Sequence, residues 1–180
     1  MEPPASSTRL APGSHEDFMN LAIEEARKSR PDPGKFRVGA VLVDEDTGEV
    51  LSRGYYLEYP EGYNGSPGTV HAERVCIIKA AELYGVSEAE LGTVLPPNCA
   101  IYTTMEPCDA RPSGDKPCVE RLLEVKQAVR TVYVGIRMPG TSADADEPGK
   151  RRLEESGGIK VLYPLPEWEA KLVKMAQGEE

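Results

Sequence analysis

Five apolar runs of strand length, separated by segments of helical period, limit what this chain can become. Val38–Val43, Val50–Tyr56, Ala100–Thr104, Thr131–Ile136 and Ile159–Tyr163 are five to seven residues long and bounded by Gly, Pro, Asn or Asp. Asp44–Glu49, with Gly48, reads as the hairpin turn between the first two. Ser14 with Asp17 predicts a helix N-cap, and Met19, Ala22, Ile23 and Ala26 fall at i, i+3, i+4 and i+7 of a helix ending near Ser29. A second helix is expected over about 70–84, with Ala72, Val75, Cys76, Ala80 and Leu83 on one face. Further helices are expected over about 118–127, 150–156 (stopped by Gly157-Gly158) and 165–176. The order α, β, β, α, β, α, β, α, β, α predicts an α/β fold. It would be a three-layer α/β/α sandwich around one mixed five-stranded sheet. The fourth and fifth strands are joined through a helix and are therefore expected to be parallel. Residues 1–14 are rich in Pro, Ser and Ala without period and read as a flexible N-terminal tail. Residues 15–180 read as a single domain.

Composition removes several function classes. The formal charge is −9, with no run of Lys or Arg, and aromatic residues make up 6% of the 180 residues. Such a surface repels a phosphate polymer and offers little for base stacking, so no nucleic-acid partner is expected. No stretch approaches the ~20 apolar residues of a membrane span, and no membrane partner is expected. The start, Met1-Glu2-Pro3-Pro4, has no basic region followed by an apolar run, so a cytoplasmic location is the expectation. In such a compartment, clustered cysteines more often bind metal or catalyse than pair as disulfides.

There are two histidines, His15 and His71, and four cysteines, Cys76, Cys99, Cys108 and Cys118. Taken singly, each has an ordinary reading. A histidine at a helix start is most often a surface or capping residue, and His15 reads as solvated. Cys76 on an apolar stripe and Cys99 at a strand start read as core residues. A lone Glu73 would be a solvated helix carboxylate. The conjunction changes this: His71-Ala72-Glu73 opens one helix, Thr104-Met105-Glu106-Pro107-Cys108 follows a strand, and Pro117-Cys118 opens another helix. One His and two Cys make a three-ligand set for tetrahedral zinc with a fourth position open, the pattern of a catalytic site. At such a site the pKa of a bound water falls from ~9 towards ~7, which corresponds to about 2.7 kcal/mol. Glu73 is then the proton carrier. Residues i and i+2 of a regular helix point ~200° apart, so His71 and Glu73 can face one site only if His71 lies at or before the first helical turn.

This conjunction resembles the zinc-dependent nucleobase deaminases and their H-x-E…P-C-x-x-C signature. It departs from that signature in one respect: nine residues, 109–117, separate the cysteines instead of two. A long interval there resembles the riboflavin-pathway branch. The run TTMEPCDARPSGDKPCVERLL, with VGAVLV and HAE, is similar to the fungal diamino-ribitylamino-pyrimidinone phosphate deaminases. The resemblance covers residues 15–165 and implies a cytidine-deaminase-like fold. It implies hydrolysis of the 2-amino group of 2,5-diamino-6-(ribitylamino)pyrimidin-4-one 5′-phosphate, a small phosphorylated pyrimidine. It also implies Zn2+ on His71, Cys108 and Cys118, Glu73 as general acid/base, Glu106 lining the base pocket, and a homodimer.

Within the interval, Arg111, Ser113 and Lys116 are candidates to hold the substrate phosphate, the competing reading being solvated loop charges. Asn20 on the first helix and Lys35 or Arg37 before the first strand are further pocket candidates. The competing functions are a deaminase of another small base or nucleotide, a nucleic-acid-editing deaminase, which the net charge disfavours, and a zinc-stabilised interaction module without catalysis.

Overall fold

The computed structural model describes residues 8–142 and 146–179. The chain forms α1 (His15–Lys28), β1 (Gly39–Asp44), β2 (Glu49–Tyr55), α2 (Ala72–Tyr84), β3 (Cys99–Met105), α3 (Cys118–Glu124), β4 (Val129–Ile136), α4 (Pro148–Gly157), β5 (Lys160–Leu162) and α5 (Glu169–Gln177). One sheet of order β2-β1-β3-β4-β5 collects the strands. β1 runs antiparallel to β2 and β3, whereas β3, β4 and β5 are mutually parallel. The sandwich, the mixed sheet and the parallel pair β4–β5 match the sequence expectation, and the parallel pairing extends to β3.

Alternation along the strands sorts the core into two layers. Ala40, Leu42, Ile101, Val132 and Val134 face α2, α3 and α4. Val41, Val43, Ala100, Tyr102 and Ile136 face α1 and α5. The parallel strands end at Met105 and Ile136 on one edge, and antiparallel β1 begins there at Gly39. Open α/β sheets place ligands at the carboxyl ends of their strands, and that edge carries the cysteine-bearing loop.

Helix α2 differs from the one-faced stripe expected. Leu83 is 39% exposed, while Ile77, Ile78 and Ala81 are buried. The helix is covered on two sides, by the sheet and by Val70, Tyr59 and Tyr63 of the preceding loop, and a helix covered that way is apolar over most of its circumference. Its approach to β2 depends on Gly54: a Cβ there would lie 2.6 Å from Val75 Cβ and 2.9 Å from the Ala72 carbonyl oxygen. Gly54→Ala is therefore expected to cost about 1–3 kcal/mol through overpacking. It should be read as a lower urea midpoint with unchanged slope.

Three local expectations are corrected. Ser14 occupies the N-cap of α1, but its hydroxyl donates to the Ala11 carbonyl at 2.6 Å and makes no bond into the helix. His15 is half-buried rather than solvated, its Nδ1 2.8 Å from the Tyr102 hydroxyl and its ring 4.6 Å from that of Tyr133. The tail expected over 1–14 is laid against β2 from Thr8 onward: Val50 N–H donates to the Thr8 carbonyl at 2.9 Å and Leu10 N–H to that of Gly48 at 2.9 Å. Residues 1–7 lie outside the described residues. Among the described residues no helix is long and apolar enough to cross a membrane.

Candidate metal centre and active site

His71 stands at the N-cap of α2 with extended backbone, φ −80° and ψ 157°. Its carbonyl accepts the first helical bond from Val75 N–H at 3.0 Å, while its ring is left free to point elsewhere. The 200° separation of a regular helix therefore does not apply, and His71 and Glu73 converge. The chain reaches His71 through non-helical Thr69-Val70 after a bend at Gly68, so the helix begins only after His71.

Cys108 follows β3 in the loop, and Cys118 is the first residue of α3. Both sulfurs lie 3.5 Å from His71 Nδ1, and Cys118 N–H donates to the Cys108 sulfur at 3.3 Å. The three donor atoms all fall within 4.8 Å of one another. Zn–N and Zn–S bonds of about 2.05 and 2.3 Å at a tetrahedral angle span about 3.5 Å between N and S, which is the separation found here. Donor type and spacing therefore fit zinc held through His71 Nδ1 and two sulfurs.

The electrostatics agree with that donor set. The Cys118 side chain hydrogen-bonded to the Cys108 sulfur, helped by His71, holds the Cys108 thiol far below the usual thiol range, to about 4. Cys118 goes up, because the Cys108 sulfur beside it and its own burial disfavour a second anion. Two sulfurs in contact thus share one negative charge until a cation stabilises both as thiolates.

Glu73 is 3% exposed. Its Oε2 lies 3.5 Å from the Cys118 sulfur and its Oε1 3.4 Å from Thr103 Oγ1. The Thr103 hydroxyl donates to the Met105 carbonyl at 2.9 Å, so the lone pairs of its oxygen remain for a proton carried by Glu73. Burial pushes the Glu73 carboxyl up, with the His71 ring opposing and the Cys108 sulfur adding. A carboxyl so placed is held more readily in its protonated form and can take and return a proton.

A cavity of about 170 Å³ opens at this point, lined among others by Phe36, Val38, Tyr56, His71, Glu73 and Met138. A second, of about 300 Å³, shares Glu106, Cys108 and Met138 with it. Glu106 thus lines the site, and its carboxylate accepts the Met138 N–H at 3.0 Å, fixing the chain that follows β4 over the cavity. Lys35 stands at the rim, paired to Asp32 at 3.2 Å. Tyr56 and Met138 were not singled out in the sequence, and Thr103, although it opens the informative run Thr103–Cys108, carried no role there.

The other candidates are engaged elsewhere. Asn20 is exposed on α1, across the sheet from α2, and is not among the residues lining either cavity. Arg37 donates to the carbonyls of Ser29 and Arg27 at the end of α1. Arg111, expected to hold phosphate, spends its guanidinium on the Thr69 carbonyl at 2.6 Å and on Asp115 at 2.8 Å. Ser113 Oγ accepts the Asp115 N–H at 3.4 Å, and Lys116 is paired with Glu124. In the structure these groups tie the loop to itself and to its neighbours. The competing reading as solvated charge fails too for Arg111, whose side chain is 6% exposed.

Cys76 and Cys99 are buried in the core. Cys76 donates to the Ala40 carbonyl, and burial pushes both thiols up, Cys99 to about 12. Both should stay unmodified by an alkylating reagent at pH 8 in the folded chain, as peptide mapping by mass spectrometry would read.

The sequence family of the cytidine and deoxycytidylate deaminase zinc-binding region matches residues 12–136. The diaminohydroxyphosphoribosylamino-pyrimidine deaminase of Schizosaccharomyces pombe is 35% identical over 139 residues, 76% of this chain. That match covers 30% of the yeast protein, so this chain spans less than a third of the curated relative's length. The Aspergillus oryzae Rib2 deaminase, solved as a C-terminal deletion mutant in complex with DARIPP, superposes with a TM-score of 0.73 at 30% identity, covering 92% of this chain and 91% of that one. A diaminohydroxyphosphoribosylaminopyrimidine deaminase/5-amino-6-(5-phosphoribosylamino)uracil reductase from Thermotoga maritima gives 0.64 at 26% identity, covering 92% and 40%. The match to the zinc-binding region takes in all three clustered donor residues, the buried Glu73 and every strand that frames them except β5. This chain therefore belongs to the cytidine and deoxycytidylate deaminase zinc-binding family.

Proposed function

We propose that this chain hydrolyses 2,5-diamino-6-(ribitylamino)pyrimidin-4-one 5′-phosphate to 5-amino-6-(ribitylamino)uracil 5′-phosphate and ammonia. The observation that carries the reading is the buried Glu73 beside a His71–Cys108–Cys118 donor set at the floor of a cavity. The nine-residue cysteine interval and the likeness to the fission yeast deaminase and the DARIPP-binding Aspergillus enzyme support this substrate over others.

Zinc, when bound, lowers the pKa of a water at its open position and makes that oxygen nucleophilic near neutral pH. The remaining work falls to the chain. Glu73 takes a proton from the attacking water and passes it to the ring nitrogen next to C2. As the water oxygen bonds to C2, Glu73 then moves the remaining proton of that oxygen to the amino group, so that the C2–N bond breaks with ammonia leaving and a C2 carbonyl remains. Thr103 Oγ1 holds Glu73 Oε1 in place between transfers. Phe36, Val38, Met105 and Met138 give the ring an apolar slot. The backbone carbonyl of Glu106 is the group assigned to the departing amine, and the adjoining 300 Å³ cavity gives room beyond the ring.

The reading includes a homodimer working in the cytoplasm on a small molecule, without nucleic-acid or membrane partners. The charge of −9 supports the choice of a small substrate. The test is a panel: ammonia release from the ribitylamino-pyrimidinone phosphate, from its dephosphorylated form, and from cytidine and deoxycytidylate. Turnover of the first with the highest kcat/KM is expected. A preference for cytidine or deoxycytidylate would transfer the activity to another small pyrimidine. Zinc with no turnover on any member would leave a zinc-stabilised module without catalysis.

A further inference from the structure

Nine residues between two metal-ligating cysteines pose a mechanical problem. With two residues between them, the chain itself keeps the sulfurs close. With nine, closing the loop costs more entropy, and Pro112, Gly114 and Pro117 promise little regular hydrogen bonding. Against that cost the fold sets a buried carboxylate. Asp115 is 8% exposed, and its oxygens receive four hydrogen bonds: Oδ2 from Ser66 Oγ at 2.5 Å and Arg111 Nη1 at 2.8 Å, Oδ1 from Arg121 Nη2 at 3.1 Å and the Lys116 N–H at 2.8 Å. Arg74 Nη1 stands 3.7 Å from Oδ2.

Each partner belongs to a segment that carries a ligand or the proton carrier. Arg74 follows Glu73 on α2, and Arg121 lies one turn after Cys118 on α3. Arg111 binds Asp115 with one nitrogen and, with the other, the Thr69 carbonyl at 2.6 Å and Thr69 Oγ1 at 3.2 Å, two residues before His71. Glu88 closes the ring, accepting from Arg74 Nε and Nη2 at 3.4 Å and from Arg121 Nη1 at 3.3 Å. Among the described residues Arg74 Nη1 and Arg121 Nε have no hydrogen-bond partner. Three guanidiniums thus stand against two carboxylates, and deleting the Asp115 charge leaves three against one. A buried network is strongly disturbed when one partner is lost in this way.

We propose that Asp115 is a positioning residue of the zinc centre. Its carboxylate replaces short sequence spacing as the device that holds Cys118, the His71 segment and α2 in mutual register. The inference rests on the zinc reading but not on the choice of substrate. Outer groups that orient metal ligands typically change metal affinity about 10–100-fold when removed.

Two variants of the zinc-loaded chain test it, Asp115→Asn and Arg111→Ala, the second cutting the tie to Thr69 while leaving Asp115 its bonds to Ser66 and Arg121. Zinc affinity is measured by competition with a chromogenic chelator, and circular dichroism follows the fold at the same temperature. Both variants are expected to bind zinc about 10–100-fold more weakly while remaining folded. A clamp that serves stability alone would lower the melting temperature of the metal-free chain and leave the zinc affinity of the folded state at the parent value. That result overturns the proposal. Should Asp115→Asn fail to fold, Arg111→Ala decides, and parental zinc affinity in it is the contrary outcome. Weak turnover by the zinc-loaded unmodified chain would count against the substrate and not against this clamp.

Discussion

Glu73→Gln should leave the fold and about one zinc per chain in place while lowering kcat by about 10²–10⁴, the usual contribution of a positioned general acid/base. The substitution keeps shape and hydrogen-bonding reach but removes the ability to carry a proton. Glu73 is not one of the three clustered donor atoms, so metal retention is expected. Its Oε1 and Oε2 touch Thr103 and Cys118, contacts that an amide can reproduce. Metal analysis and steady-state kinetics on the same preparation check both halves. Parental turnover would remove Glu73 from the proton path. Lost zinc would make it a ligand or a structural neighbour of one.

Cys118→Ala should have the opposite signature. It leaves His71 and Cys108, too few protein ligands for a stable site. Zinc is expected to fall to trace amounts and turnover to vanish. The backbone bond from residue 118 to the Cys108 sulfur does not need the deleted atom, so α3 keeps its start. Stability supplies an independent readout. A metal that binds only the folded state stabilises it by about 2.7 kcal/mol at a free concentration one hundred times its dissociation constant. A chelator should therefore lower the melting temperature of the parent and leave that of Cys118→Ala unmoved. Stoichiometric zinc in the variant would mean that the donor set has been misassigned.

Much of this site was legible in the sequence because ligand chemistry is local and restrictive. With two histidines and four cysteines, the alternatives were few, and the need for His71 to precede α2 followed from helix geometry alone. The sandwich was legible for a similar reason, since strand and helix periods differ. What escaped was set by tertiary contact. Arg111 reads as a phosphate ligand in sequence, yet a buried Asp115 and the Thr69 carbonyl claim it. Leu83 fits the apolar stripe of α2 by spacing, but α2 is buried on two sides and Leu83 lies near its exposed end. His15 reads as solvated until Tyr102 and Tyr133, from strands remote in sequence, close over it. Asn20 sits on the helix that packs on the far side of the sheet, a fact fixed by the direction of the β1 side chains and not by its neighbours in sequence.

The most direct measurement is ammonia release from 2,5-diamino-6-(ribitylamino)pyrimidin-4-one 5′-phosphate by protein of quantified zinc content, before and after chelation. Turnover is expected in proportion to zinc, up to about one ion per three-ligand site. Chelation should abolish that turnover and restored zinc should return it. Turnover that survives complete removal of the metal, or protein fully loaded with zinc that releases no ammonia, would contradict that expectation.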